Sequence, residues 1–189
     1  MMRRLGGSES NILIAQGALA SSYEDLGRHE QCLTMRREVY SGHLKLHGEE
    51  HFDTLRVAEN YALSLLGLKR FEEAKSLLRK TMPVARRVFG ENNELTLRMR
   101  MVYATTLFND DDATLDDLRE AVTTLEEIER IARRVLGFGF GFISDSRCRN
   151  PREILRRTVL KRTAPHRSIA GGAIFLENSS KHTAMMLAY

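Results

Sequence analysis

Three histidines, His43, His47 and His51, stand four residues apart, a spacing that lines imidazoles along one helix face where they can share a metal ion. Gly48 falls inside that run, and a glycine there ends a helix, so no metal site is expected. Asp110, Asp111, Asp112, Asp116 and Asp117 supply the oxygens that calcium takes. The segment lacks a glycine at the turn and a glutamate at the twelfth position from Asp110, and is read as a capped, hydrated insertion. Arg147, Arg149, Arg152, Arg156 and Arg157 are cations of the kind that neutralise phosphates. No nucleic-acid-binding motif organises them, and nucleic acid is not an expected partner. Asn178-Ser179-Ser180 spells a glycosylation sequon with no secretory route visible. The sequence has no glycine-rich loop with a lysine and no nucleophile elbow. The chain is therefore read as non-enzymatic and without a cofactor.

Binding chemistry is what remains. Arg56 and Arg98 are forty-two residues apart, and a guanidinium pairs with a carboxylate through two parallel hydrogen bonds. Asn60, one helical turn beyond Arg56, can both donate to and accept from a peptide backbone. The competing reading is that these arginines solvate the surface or pair with Glu59 and Glu94, contributing little.

The interval between the arginines belongs to the whole chain. Gly6, Gly48 and Gly90 recur at forty-two residues, as do Leu13, Leu55 and Leu97; Ala20, Ala62 and Ala104; and Tyr23, Leu65 and Leu107. Cys32 and Ala74 match in the same way, and Ala121 and Gly137 join once five inserted residues between Leu107 and Leu118 are allowed for. A fixed long period marks an array whose function lies in a surface. The units fall at about 6–47, 48–89 and 90–137.

Each unit reads as two helices. Phe71, Ala74, Leu78, Thr81, Ala85 and Val88 follow steps of three and four, and Leu118, Ala121, Leu125, Ile128, Ala132 and Val135 repeat them. Leu55, Ala58, Ala62 and Leu65 form a shorter stripe of the same kind. Asn11 and Asp53 are the expected N-caps. Gly27, and Lys69-Arg70, mark where the first helix of a unit reverses. Pro83 lacks the N–H that would bond the Arg79 carbonyl, so a kink without a break is expected.

The segment LHGEEHFDTLRVAENYALSLLGLKRFEEAKSLLRK, from Leu46 to Lys80, resembles the long tetratricopeptide repeat typical of kinesin light chains. Gly48, His51, Thr54, Leu55, Asn60, Ala62, Phe71, Glu73, Ala74, Leu77 and Arg79 or Lys80 carry the likeness. It departs at Phe52, where the pattern has proline, and at Asn93, which stands for His51 in the next unit. The resemblance covers 6 to 137 and implies an all-α, right-handed superhelical solenoid whose first helices line a concave groove. It places Arg56, Asn60 and Leu63 of the middle unit, Arg98, Val102 and Thr105 of the last, and Ile14, Ala18 and Ser21 of the first at groove-facing positions. A carboxylate clamp for chaperone C-termini is not expected, since the first unit has none of the lysines and asparagines such a clamp needs.

Composition fits. The chain is 42% hydrophobic, 29% charged, has three prolines and no tryptophan, which describes a helical globular protein. No apolar run, Ala170 to Leu176 included, approaches the roughly 20 residues of a membrane span. Two cysteines make no disulfide framework, and a cytoplasmic setting is expected. Residues 1 to 137 hold 20 Lys+Arg against 22 Asp+Glu, whereas 138 to 189 hold 9 against 3. All of the net charge of +4 thus comes from a divergent basic tail. There Asn150, Pro151 and Glu153, followed by Ile154, Leu155, Val159 and Leu160, predict a capping helix at 151–162, and mixed small and polar residues from Ala164 predict poor order. Because Gly6 should follow a preceding unit, the chain reads as a piece of a longer array or complex, or a shortened relative. The functional expectation is a protein–protein interaction scaffold that binds a partner peptide in its groove. The alternatives are a kinesin-light-chain-like cargo adaptor, or the regulatory array of a larger signalling NTPase.

Overall fold

The computed structural model describes residues 2–136, with side chains from 9 to 134. The basic tail, its proposed capping helix at 151–162 and the order expected of it lie outside the described residues. Among the described residues six helices follow one another: α1 (Met2–Asp25), α2 (His29–His47), α3 (Phe52–Gly67), α4 (Phe71–Phe89), α5 (Glu94–Asn109) and α6 (Leu115–Leu136). Each packs on the next in sequence, and α3 also meets α5. The result is an all-α superhelical solenoid of stacked helical hairpins, without strands among the described residues.

The period reappears as geometry. Ala20, Ala62 and Ala104 are fully buried, and Cys32, Ala74 and Ala121 are 2% exposed or less, so small side chains sit where helices come closest. Leu55, Leu78, Met99, Leu107 and Ile128 form the continuous apolar spine behind them.

The turns inside the first two hairpins are also copies. Gly27 (φ +69°) and Lys69 (φ +59°) both enter the left-handed region. Arg28 N–H then bonds Tyr23 O and Arg70 N–H bonds Leu65 O, both at 2.8 Å, closing the first helix in the way a glycine normally permits. Between hairpins, Gly48 and Gly90 take φ +81° and +85° with ψ near extended values, a region open essentially to glycine alone. A Cβ at Gly90 would meet nothing within 4 Å, so Gly90→Ala should cost about 1–3 kcal/mol through backbone strain only. Lys69→Gly should gain about 0.5–1 kcal/mol by relieving the left-handed strain at the position that Gly27 occupies in the first hairpin. Urea unfolding midpoints of the two variants check both signs.

Two boundaries differ from expectation. α1 runs through Gly6 and Asn11 from Met2, so Gly6 is not an interhairpin loop and Asn11 caps nothing. Extending a nucleated helix costs only about 1 kcal/mol per glycine, less than starting one. At α3 the cap is His51, whose Nδ1 accepts from Asp53 N–H at 3.2 Å, and Asp53 itself lies in the first turn. Asn93 repeats the bond, its Oδ1 accepting from Leu95 N–H at 2.9 Å. The replacement of His51 by Asn93 in the next unit therefore preserves the acceptor. Thr54 and Thr96 reinforce the same joint by donating to the carbonyls of His43 and Ala85.

α4 continues unbroken through Pro83. The five-residue insertion after α5 holds Asp110, whose carboxylate takes a 2.8 Å hydrogen bond from Lys75 Nζ and accepts from Asp112 N–H. Thr114 and Asp117 cap α6 reciprocally, each side chain accepting from the other's backbone N–H.

Candidate interaction cleft

The first helices of hairpins one and two, α1 and α3, stand side by side with α2 beneath them. Between them lies a cavity of about 230 Å3 lined by Ile14, Ala18, Ser21, Arg56 and Asn60, together with Leu13, Gly17, Val57 and, from the floor, Arg36, Val39 and His43. The groove positions assigned to units one and two thus meet in one place, except Leu63. That residue lines a second cavity of about 440 Å3 further along the same cleft.

Arg56 donates from Nε and Nη2 to Asp53 Oδ1 at 3.3 and 3.1 Å. Both partners keep about two fifths of their side-chain surface exposed, so the pair is easily exchanged for another anion. Asn60 is half-buried, and its backbone carbonyl accepts from Arg36 Nη1 at 2.8 Å.

In the third hairpin the expected groove closes. Arg98 donates from Nη2 to Glu59 at 2.7 Å and reaches Glu94 at 3.5 Å, while its Nε is buried without a partner. Burial holds the Glu59 pKa above its ordinary value, against the opposing hydrogen bond and charge of Arg98. Arg98 is therefore an internal tie between α5 and α3, and the arginine repeat is one of sequence and not of role. Val102 and Thr105 are corrected too: they are 5% and 7% exposed and present no surface. α5 carries apolar side chains all round, with Leu95, Met99, Met101, Val102 and Tyr103 all buried, and a helix apolar on every face is buried on every face.

His47 and His51 stack with ring centroids 4.5 Å apart, and His43 lies tilted against His47 at 5.4 Å. No group of three or more metal-ligating side chains is assembled among the described residues. No described helix is long and apolar enough to cross a membrane.

The sequence reading missed the floor. In register with Leu78 and Leu125 the first unit has Arg36, and in register with Ala85 and Ala132 it has His43. The heptad-like stripe of α2 is interrupted by two polar residues, and both line the cleft. Arg36 donates to Asn60 O, Ser64 Oγ and Glu24 Oε2, linking all three helices. His43 is 3% exposed, its Nδ1 has no hydrogen-bond partner, and burial lowers its pKa, with the neighbouring His47 adding to the effect.

Residues 11–84 match the family model described as tetratricopeptide repeat. No curated protein sequence matches the chain. Among solved structures, BtubC (BKLC) from P. vanneervenii aligns over 91% of this chain and 72% of its own, with 13% identity and a TM-score of 0.47. The family match spans most of α1 through most of α4 and includes every residue that lines the cleft.

Proposed function

We propose, from the tetratricopeptide repeats that residues 11–84 match, modules that generally mediate protein–protein interaction, that this chain is a non-enzymatic scaffold holding an extended partner segment between α1 and α3. The observation that carries the reading is the cavity where Ile14, Ala18, Ser21, Arg56 and Asn60 converge. It offers an apolar wall, a carboxamide for the partner's backbone and a guanidinium whose present ion pair is exposed. The recurrence of caps, turns and small core residues at forty-two residues supports the long form of the repeat, in three units at about 6–47, 48–89 and 90–137. A cytoplasmic setting fits a protein-binding array whose Cys32 is a free thiol.

The test is direct. Peptides selected on the protein from a random displayed library should lose at least about tenfold in affinity to Arg56→Glu, because a favourable charged contact becomes a repulsive one. Ala18→Trp, at an exposed position on the wall, should abolish binding by filling the cavity. Unchanged affinity for both variants would exclude this face. Arg98→Glu is unsuitable for the purpose, since it would set a second carboxylate against buried Glu59.

A further inference from the structure

We infer that the cleft reads the charge order of its ligand: it takes a segment with one acidic side chain and, about three residues away, one basic side chain, and it accepts them in one orientation only. The inference rests on the proposed binding role and specifies the ligand.

The cleft has two chambers in series. Along α1 the first is lined by residues up to Ser21 and the second by Glu24 and Asp25. Along α3 the division falls between Asn60 and Leu63, and along antiparallel α2 between Arg36 and Cys32. The same order on three helices sets the two chambers end to end along one cleft. Arg36 sits at the division, holding Glu24 on one side and Asn60 O and Ser64 Oγ on the other.

Their linings are opposite in charge. The first chamber contains Arg36, Arg56, His43, Asn60 and Ser21 and no carboxylate. The second contains Glu24 and Asp25, with His29, and no lysine or arginine. The C-terminal ends of α1 and α3, where partial charge is negative, both meet the second chamber and outnumber the one positive N-terminal end of α2 there. An acidic group is favoured in one chamber and a basic group in the other, and reversing the ligand meets like charges at both.

His43 points to an occupant of the first chamber. A buried ring nitrogen without a partner costs free energy, and the corresponding residues Ala85 and Ala132 carry no such liability. Lining the chamber beside two guanidinium groups, the neutral imidazole is placed to donate to a ligand carboxylate. The spacing follows from helix geometry. From Ala18 to Asp25, as from Asn60 to Gly67, is seven residues, about 10 Å at ~1.5 Å per residue, which an extended chain covers in about three residues at ~3.3 Å each.

The experiment uses two libraries of extended peptides on the full chain, one with Glu at i and Lys at i+3, the other with Lys first. One order should bind at least about tenfold more tightly than the other. The pair Asp25→Arg with Arg56→Glu, both outside the core, should invert that preference. His43→Leu should weaken the acidic contact while leaving the melting temperature unchanged or higher, an outcome that a purely structural histidine would not give. Binding in the cleft with equal affinity for both orders, or an order that the double variant leaves unaltered, would overturn this inference while leaving the groove intact. If neither library binds at the cleft while other peptides do, the charge reading again fails. If no peptide of any composition binds there, the proposed function itself fails.

Discussion

Lys75→Met is expected to destabilise the protein by about 3–5 kcal/mol, the range for removing one partner of a buried ion pair. Lys75 is 6% exposed and Asp110 9%, and the 2.8 Å bond between them fixes the loop after α5 against α4. Methionine keeps the stem of the lysine and leaves the carboxylate buried with only the Asp112 N–H. Asp110→Ala should cost less, because Lys75 retains Glu72. Replacing both, as Lys75→Met with Asp110→Leu, should recover much of the loss, since an apolar pair avoids the desolvation of two charges. Urea unfolding of the three variants checks the ranking, and a Lys75→Met protein within 1 kcal/mol of wild type would show the pair to be dispensable.

The pair also sets a pH dependence. The hydrogen bond from Lys75 holds the Asp110 pKa below its ordinary 3.8, so its contribution is present above 3.8 and is lost as pH falls through the lower folded value. Burial alone would lower the Lys75 pKa, but the bonds to Asp110 and Glu72 outweigh it and raise the pKa above 10.5. That contribution is present below 10.5 and fades at higher pH. Stability measured from pH 5 to pH 2 should therefore fall less steeply in Lys75→Met than in wild type.

Leu78→Ala should cost about 2–5 kcal/mol. Leu78 is fully buried in the shared core, in the same cluster as Leu55, Ala85, Met99 and Leu107. It lies on the second helix of the middle hairpin, where α4 packs against α3 of its own unit and α5 of the next. In a solenoid, stability is approximately a sum of unit and nearest-neighbour terms. Damage at Leu78 therefore weakens its own hairpin and the junction with the third, whereas Leu125, on a helix that packs chiefly on α5, touches its own hairpin. Leu125→Ala, the corresponding change in the last hairpin, should lower stability by less. Equal losses would mean that the three hairpins unfold as a single block with no internal hierarchy.

Much of this fold was legible in the residues. The forty-two-residue interval, the small buried positions Ala20, Ala62 and Ala104, and the reversal at Gly27 and at Lys69-Arg70 all depend on local chemistry that a sequence displays. The start of α1 was not legible, because a glycine pair costs a growing helix too little to stop it. His51 and Asn93 looked like a broken motif until both proved to be caps, a case where different side chains supply one acceptor.

The site was less legible than the fold. Ile14, Ala18, Ser21, Arg56 and Asn60 do share one cavity, because neighbouring first helices align their faces. Arg98, Val102 and Thr105 do not share it, and the signal was present in α5, whose apolar residues surround the helix. Arg36 and His43 were visible as lapses in the core stripe. Only the packing of α1, α2 and α3 turns those lapses into the floor of a polar chamber.

Binding of a partner in the cleft between α1 and α3 would be recorded by amide hydrogen exchange of the full chain, measured with and without a saturating library-selected peptide. Slowed exchange is expected to concentrate in residues 13–25 of α1 and 56–67 of α3, with little change in α5 and α6. Protection centred on α5 and α6, or on the outer faces of α2 and α4, would contradict it.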